Sequence, residues 1–383
     1  MRLGLYIPVL DDRPAGVGVY IEEVCSRLAA RFRDVVVYTG TPEARRPWLK
    51  GAVVRPLGRR LAPWLRGAEG LRRRAHRLAW LAGESVLDLR RDGVDVLFSP
   101  VQESLLVGKT PRVVVVHDVT ALHYPDAYDA GTVAQTRYLL PLMLRRASRV
   151  IAVSENTKRD VVARFGLDPA GIDVVYEGYD KAVFRPRSGA EIAEVREKFG
   201  LPQRYLFYAG TFSRHKNLGL VVEALAVLRD RHPDLTFVVA GRKDAGVAHE
   251  VVDRSRALGL EEKVRVLGYV SRDELATLMS GAAVFVYPSR YEGFGLAPLE
   301  AMACGAPVVA SNVASLPEVV GQGGVLVDGT TSDAWGRAVG GVLQGDSSAL
   351  RGRALRQSAA FTWEGAVEAL AAIVLAAAAP RAP

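Results

Sequence analysis

Two series of short apolar runs, separated by a stretch rich in glycine and proline, constrain the fold of this 383-residue chain most strongly. Turn residues bound each run, and segments with helical periodicity alternate with them. This pattern is typical of a mostly parallel sheet with helices on both faces. The first series comprises 3–9, 35–38, 94–98, 113–116, 150–153 and 172–175, and the second comprises 205–209, 235–240, 264–267, 284–287 and 308–310. The sequence therefore predicts an α/β protein with two doubly wound sheets.

The stretch between the two series, 176–186, predicts a linker between two domains. A chain of 383 residues is also longer than one ordinary hydrophobic core supports. We expect an N-terminal domain at 1–183 and a C-terminal domain at 184–361. Because ligands of doubly wound folds lie beyond the carboxyl ends of the strands, a cleft between two such domains is the expected active site.

The positive charge of the chain is concentrated in one stretch. Lysine and arginine number 50 against 42 acidic residues, a net charge of +8, and much of the excess lies between Arg55 and Arg77. Apolar residues recur there at roughly helical spacing between arginines. The pattern predicts either contact with an anionic membrane surface through 55–80 or a solvated helix packed on its own domain. Nucleic acid is not expected as a partner, because the sequence has no zinc spacing, aromatic RNA-binding signature or recognition-helix pattern.

The cysteines and the chain termini indicate a protein of the reducing cytosol. Cys25 and Cys304 provide neither a disulfide framework nor a cluster of metal ligands. The opening apolar run meets Asp11 and Asp12 without a small-residue cleavage site, so we expect a buried strand and not a signal peptide. The alanine-rich tail is shorter than the ~20 residues that a spanning helix needs. We therefore expect a cytoplasmic protein with no membrane-spanning segment.

The segment 288–311 contains the most informative chemistry of the sequence. Glu292 and Glu300 are separated by seven residues, and Gly295 precedes a predicted helix in which Pro298 takes the first position. Glu300 would then lie in the first turn, near backbone N–H groups that attract a phosphate. Carboxylates this close to a phosphate would repel it unless they faced neutral hydroxyls, as on a ribose and a sugar ring. The segment therefore predicts a sugar nucleotide as ligand.

This segment resembles the Glu-x7-Glu signature of the retaining glycosyltransferases of family 4, group 1, which include bacterial mannosyl- and glucosyltransferases. Other segments occur in the order that this family shows, so the resemblance covers nearly the whole chain. They are Gly16–Tyr20, His117–Asp118, Val153–Thr157, Gly210–Asn217 and Leu316–Glu318. The resemblance implies the GT-B fold, in which two Rossmann-like domains face a central cleft. It also implies that a last helix, about 362–383, returns to the first domain.

The resemblance assigns roles to individual residues. His117 would meet the donor sugar near the reacting carbon, while Lys216 and Arg214 would stabilise the departing diphosphate. Glu292 would face the donor sugar, and Glu300 would accept hydrogen bonds from the ribose. The remaining implied contacts are phosphate binding by Gly16, Gly18, Phe294, Gly295 and Leu296, and nucleobase binding by Arg242, Tyr269 and Val270.

Each of these residues also has an ordinary structural interpretation. His117 would be a loop histidine satisfied by the backbone, and Arg214 and Lys216 would be solvated cations. Asp118 would either orient the imidazole or cap the following turn. Arg242 and Tyr269 would be unremarkable loop residues.

The resemblance implies a retaining hexosyltransferase that uses a nucleotide sugar, with GDP-mannose as the first expectation and UDP-glucose as the second. The expected acceptor is a glycan or lipid-linked saccharide of cell-surface polysaccharide biosynthesis. We expect no cofactor and no metal, because the sequence has no metal-ligand spacing and Lys216 with a helix end can replace a divalent ion. Two alternatives stay open: a sugar-nucleotide 2-epimerase of the same architecture, or a non-catalytic glycan-binding descendant.

Overall fold

The computed structural model describes residues 1–8, 16–41, 46–57, 81, 83, 85–241 and 245–379, with the backbone alone for 245–249. The chain divides into two units, the first comprising Met1–Glu177 and Trp363–Pro383 and the second Gly178–Thr362. The division after Glu177 falls within the predicted linker, ahead of the expected boundary at 183. Residues 58–80, and with them most of the basic stretch predicted to contact a membrane, lie outside the described residues.

The first unit is built on a parallel sheet. Its strands are β1 (Leu3–Ile7), β2 (Val35–Thr39), β3 (Val53–Pro56), β4 (Val96–Ser99), β5 (Arg112–Val116), β6 (Arg149–Ala152) and β7 (Ile172–Val174). They lie in the order β3-β2-β1-β4-β5-β6-β7. The helices are α1 (Val17–Arg31), α2 (Ser85–Arg91), α3 (Thr120–His123), α4 (Ala130–Ala134), α5 (Leu140–Leu144) and α6 (Glu155–Phe165). A π-helical turn at Gln135–Leu139 joins α4 to α5.

The second unit repeats this architecture. Its strands are β8 (Tyr205–Ala209), β9 (Thr236–Ala240), β10 (Val264–Gly268), β11 (Val284–Tyr287), β12 (Val308–Ser311) and β13 (Val325–Val327), in the order β10-β9-β8-β11-β12-β13. Its helices are α7 (Gly189–Lys198), α8 (Leu218–Leu228), α9 (Ala245–Ala257), α10 (Arg272–Gly281), α11 (Leu296–Ala303), α12 (Leu316–Val320), α13 (Ser332–Gln344) and α14 (Ser347–Ser358). All described strand pairs of both sheets are parallel, which bears out the doubly wound prediction.

The last helix, α15 (Trp363–Ala378), belongs to the first unit and packs on α1. Trp363, Leu370 and Val374 are buried there, and Arg31 pairs with Glu368 at 2.8 Å. Because that ion pair is exposed, the apolar contacts account for most of the docking energy. No helix among the described residues combines the length and the apolar character needed to cross a bilayer.

All eleven predicted apolar runs form strands, whereas the edge strands β3 and β13 were not predicted. β3 is only partly buried and contains Arg55 and Pro56, and β13 has three residues. Edge strands need no continuous apolar run because one side faces no neighbouring strand. The central strands differ: Val113–Val116 of β5 are fully buried, as expected where helices cover both faces of a sheet.

Three glycines lie at the carboxyl ends of the neighbouring strands β8, β9 and β10. Gly210, Gly241 and Gly268 have φ angles of 152°, 148° and 79°. The N–H of Gly241 donates to Gly268 O at 2.8 Å, and a Cβ at Gly241 would come within 1.8 Å of Gly210 O. The backbones therefore meet at a distance that leaves no room for a side chain.

We expect Gly241→Ala to destabilise the second unit by at least about 2 kcal/mol, because it combines a backbone clash with a disfavoured φ. Thermal unfolding followed by circular dichroism measures this effect. Gly341→Ala is the matched control, since Gly341 lies within α13 and its Cβ would meet nothing within 4 Å. It should leave stability unchanged or raise it by up to about 1 kcal/mol. Equal melting temperatures for the two variants would contradict the expected clash.

Candidate active site

The order of the strands reverses once in each sheet, and loops at the carboxyl ends of the strands diverge at that point. The reversal lies between β1 and β4 in the first unit and between β8 and β11 in the second. Open α/β sheets bind ligands in the crevice that these diverging loops leave. The residues predicted to bind the donor sugar, phosphates and ribose in the second unit follow β8 and β11, on either side of its reversal point, whereas the predicted nucleobase contacts follow β9 and β10.

The reversal point of the second sheet holds a buried ion pair. Lys216 follows β8 and Glu292 follows β11, and Lys216 Nζ lies 2.5 Å from Glu292 Oε1. Their side chains are 10% and 12% exposed. The structure thus brings together two residues that are 76 positions apart in the sequence and that were both predicted as site residues. The pair offers one cation for phosphate oxygens and one carboxylate for hydroxyl groups.

A tyrosine that the sequence analysis did not identify supports this ion pair. Lys216 Nζ lies 3.4 Å from the Tyr287 hydroxyl and 5.5 Å from the centre of its ring. Tyr208 stacks on Tyr287 at 5.6 Å. Burial, and then the charge of Glu292, raise the pKa of Tyr287 well above its usual value, so its hydroxyl stays protonated. The only sequence signal for Tyr287 was its position at the end of a predicted strand, 284–287. The reversal point beside that strand is visible only in the structure.

The start of α11 differs from the prediction. The helix begins at Leu296 after Gly295, which has a φ of 117°, so Pro298 takes the third helical position and not the first. Glu300 is therefore the fifth helical residue, and the prediction that it lies in the first turn is wrong. The physical reason is that Gly295 alone provides the left-handed turn that starts the helix. Leu296 remains at the N-terminus, where the first amides have no intrahelical acceptor.

Ser315 fixes the loop before α11, and the sequence analysis missed it. Its hydroxyl lies 3.0 Å from Glu292 O and 2.7 Å from Phe294 O. Ser315 is fully buried, Phe294 is buried and Glu300 is partly buried. A Cβ at Gly295 would contact Leu316 at 3.0 Å, so the loop between Glu292 and α11 is held tightly on α12.

The remaining residues predicted in the second unit are less constrained. Arg214 is exposed, in the turn Arg214–Lys216, and has no ion pair with any described residue. Tyr269 is exposed and Val270 is buried, just after β10. Arg242 lies outside the described residues. Arg290 was not predicted: its backbone N–H donates to His215 O at 2.8 Å, which places a second exposed guanidinium beside the Lys216 turn.

In the first unit, His117 lies beyond the carboxyl end of β5 and is held at both ring nitrogens. Nδ1 lies 3.3 Å from Glu177 Oε1, and Nε2 lies 2.8 Å from Pro100 O. His117 and Glu177 are 7% and 4% exposed. Both nitrogens face acceptors, so this arrangement favours the doubly protonated imidazolium.

The pKa of His117 lies above its usual value. Burial is the largest single influence and lowers it, but the hydrogen bond and charge of Glu177, the Pro100 carbonyl and the charge of Asp118 together outweigh burial. Tyr20 contacts the imidazole edge-on at 4.7 Å. Asp118 accepts a hydrogen bond from Thr120 N at 2.8 Å, so of its two predicted roles the structure shows the turn cap.

The predicted glycine loop of the first unit follows β1. Gly16 precedes α1 with a φ of 52° and ψ of −114°, and Gly18 lies in the first turn of α1. A side chain at Gly16 would meet nothing within 4 Å, so the backbone angles and not crowding require glycine there. Among the residues that the structure describes, no group of three or more His, Cys, Asp or Glu is arranged to hold a metal ion.

Two family models together match most of the chain. The model for Glycosyltransferase Family 4 matches residues 14–183, and the model for Glycosyl transferases group 1 matches residues 191–356. The chain belongs to the group 1, family 4 glycosyltransferases. The first match falls almost entirely on the first observed unit, and the second falls on the second unit.

Curated relatives carry several activities. The chain is 36% identical over 255 residues to the O-antigen chain mannosyltransferase B of Escherichia coli, covering 65% of this chain and 66% of the relative. It is 36% identical over 237 residues to a D-inositol 3-phosphate glycosyltransferase of Mycobacterium tuberculosis, covering 59% of this chain and 48% of that one. The match thus spans about half to two thirds of the length of these relatives.

Solved structures confirm the GT-B fold. Anabaena HepE, crystallised with UDP and glucose, superimposes with a TM-score of 0.77 at 21% identity over 98% of this chain and 99% of its own. WaaG, a glycosyltransferase involved in lipopolysaccharide biosynthesis, gives 0.73 at 18% identity over 97% and 99% of the two chains. At these identities the similarity establishes the fold alone.

We expect Lys216→Ala and Glu292→Ala each to lower the free energy of unfolding by about 2–3 kcal/mol, since each leaves a buried charge without its partner. The double variant should lose less than the sum, with a coupling of at least about 1 kcal/mol in a urea-unfolding cycle. The exposed pair Asp253–Arg256 is the control, and its coupling should stay below about 0.5 kcal/mol. Additive losses at Lys216 and Glu292 would contradict a coupled buried pair.

The raised pKa of His117 predicts a pH dependence. Because the folded-state pKa exceeds the unfolded value of about 6.5, the contribution of His117 to stability is complete below that pH and is lost as the pH rises through the folded-state pKa. Glu177→Gln should lower the pKa of His117, measured by NMR titration of the ring. Asp126→Asn, at an exposed carboxylate of the same unit, should not change it. An unchanged titration in Glu177→Gln would refute the proposed cause.

Proposed function

We propose that this chain is a retaining glycosyltransferase that moves a hexose from a nucleotide sugar to a glycan or lipid-linked acceptor in cell-surface polysaccharide biosynthesis. The observation that carries the proposal is the buried Lys216–Glu292 pair at the reversal point of the second sheet, beside the N-terminus of α11. Such a point is where doubly wound sheets bind nucleotides. The pair adds the charges that a sugar diphosphate requires.

In the proposed reaction, the bond between the anomeric carbon and the diphosphate oxygen breaks while the acceptor hydroxyl forms a bond to that carbon from the same face. The acceptor proton passes to an oxygen of the departing phosphate. Lys216 and the first amides of α11 stabilise the negative charge that develops on the leaving group. A cation fixed by Tyr287 and Glu292 needs little reorganisation in the transition state.

Carboxylates of the second unit select hydroxyl groups in this proposal. Glu292 accepts hydrogen bonds from the donor sugar, and Glu300 accepts them from the ribose. The phosphates lie against the amides of Phe294, Gly295 and Leu296, with Arg214 as a further cation. The nucleobase contacts Val270 and Tyr269 beyond β10.

His117 is proposed to meet the donor sugar from the first unit. Its contact with Glu177 is the longer of the two, at 3.3 Å, so a sugar hydroxyl can replace it while Pro100 still holds Nε2 at 2.8 Å. Nδ1 then exchanges a hydrogen bond with the sugar. Gly16 and Gly18 are proposed to let a phosphate or an acceptor approach the start of α1.

GDP-mannose is the first proposed donor because a relative at 36% identity is a mannosyltransferase. UDP-glucose is the second, since the structurally similar HepE has been crystallised with UDP-glucose. We propose that the reaction takes place in the cytoplasm at the inner face of the membrane. The buried free cysteines Cys25 and Cys304 agree with a reducing compartment.

We expect Lys216→Gln to lower the kcat of sugar transfer by about 10²–10³-fold, because it removes a charge that acts chiefly in the transition state. Incubation of each donor with acceptor glycans, followed by NMR of the anomeric proton, measures both the rate and the retained configuration. Lys198→Gln is the control, since Lys198 lies on α7 of the same unit in an exposed ion pair. It should keep its activity.

The same assay distinguishes the alternatives. Transfer should persist with EDTA, because Lys216 and α11 supply the positive charge without a metal. Loss of activity in EDTA that Mg²⁺ restores would refute the metal-free reaction. Conversion of the donor into an epimer without acceptor would indicate a 2-epimerase, and donor binding without turnover would indicate a non-catalytic protein.

A further inference from the structure

A pocket of about 360 Å³ in the first unit is lined by six residues that no assigned site uses. They are Leu122, Arg137, Pro141, Arg145, Arg164 and Phe165. These residues come from α3, the π-helical turn, α5 with its C-terminal cap, and α6. Three of the six carry a guanidinium and none carries a carboxylate, so the pocket is strongly positive.

Neutral groups, and not acids, hold two of these arginines. Arg145 donates to the Phe165 carbonyl at 2.8 Å, and Arg164 lies 3.2 Å from His123 Nδ1. Arg137 is exposed. The carboxylate of Asp160 is directed to His123, at 3.6 Å from Nε2. None of the three lining arginines forms an ion pair with an acid within the described parts of the chain.

Several arginines of the first unit, in contrast, are paired with acids. Arg149 pairs with Asp173, Arg46 with Glu22 and Arg55 with Asp92, at 2.5 to 3.1 Å. Three uncompensated guanidinium groups in one concavity repel each other, and an anion with several acceptor oxygens relieves that repulsion. The planar fork of arginine fits a phosphate especially well.

The rest of the pocket selects an anion with an apolar part. Leu122, Pro141 and Phe165 supply apolar lining. Two large apolar side chains adjoin the pocket residues in sequence and point outward: Tyr138 is 64% exposed and Leu142 is 42% exposed. A tyrosine and a leucine beside arginines are suited to the boundary between lipid headgroups and acyl chains.

We propose that this pocket binds the phosphate headgroup of an anionic lipid, with Tyr138 and Leu142 in contact with the acyl layer. Its lining residues are different from those of the basic stretch at 55–80 and from those proposed to bind the donor. The lipid proposal does not depend on which sugar the protein transfers, because it rests on the charge and shape of the first unit alone.

Flotation of the full-length protein with vesicles tests the proposal. The wild type should bind vesicles of phosphatidylcholine with phosphatidic acid and should not bind vesicles of phosphatidylcholine alone. The variant Arg137→Gln/Arg164→Gln should lose at least ten times more affinity than Arg146→Gln/Arg159→Gln. The control removes two exposed arginines of the same helical region that do not line the pocket.

Equal losses in the two double variants would overturn the pocket, because general attraction to an anionic surface gives about a fivefold effect per arginine wherever it lies. Binding of glycerol 3-phosphate without binding to vesicles would assign the pocket to a soluble phosphate and overturn the lipid assignment. Should Arg137→Gln/Arg164→Gln fail to fold, Arg137→Gln is compared with Arg146→Gln under the same criterion. The exposed Arg137 has no described partner to lose.

Discussion

The contact between Lys216 and Glu292 is the interaction on which the candidate site depends. A lysine and a glutamate that are each about nine-tenths buried are costly to desolvate, and the contact compensates for that cost only in this geometry. The reversal of strand order between β8 and β11 brings the two loops together, and Tyr287 and Ser315 hold the side chain and the loop. The ammonium group proposed to bind a diphosphate and the carboxylate proposed to bind hydroxyl groups are therefore held in place before a ligand binds.

The first unit has a similar buried contact between a basic side chain and a carboxylate, formed by a different pair of residues. His117 after β5 meets Glu177 after β7, again beyond the carboxyl ends of parallel strands and again buried. Here the carboxylate raises the pKa of an imidazole, against the burial that lowers it. The two units thus each place one basic side chain beside one carboxylate at the edge where ligands of doubly wound sheets bind.

The arginine pocket differs from both sites because its charges have no internal partner. Lys216 and His117 face carboxylates, whereas Arg145 faces a carbonyl, Arg164 faces an imidazole and Arg137 lines an open concavity. An ion pair formed within the protein preorganises a site. Arginines without an acidic partner, in contrast, are neutralised only when an anionic ligand binds. This contrast separates the proposed donor site from the proposed lipid site.

The sequence alone predicted the family, the GT-B fold and eleven of the thirteen described strands, because buried parallel strands need continuous apolar runs. It also singled out Lys216, Glu292 and His117 as candidate site residues, because the loops after the strands carry recognisable patterns. It missed β3 and β13, since edge strands need no such run, and it misplaced the start of α11. Only the tertiary structure showed Glu177, Tyr287 and Ser315 as partners. Those contacts join residues from different loops, and their proximity follows from strand order and packing, which leave no local pattern in the sequence.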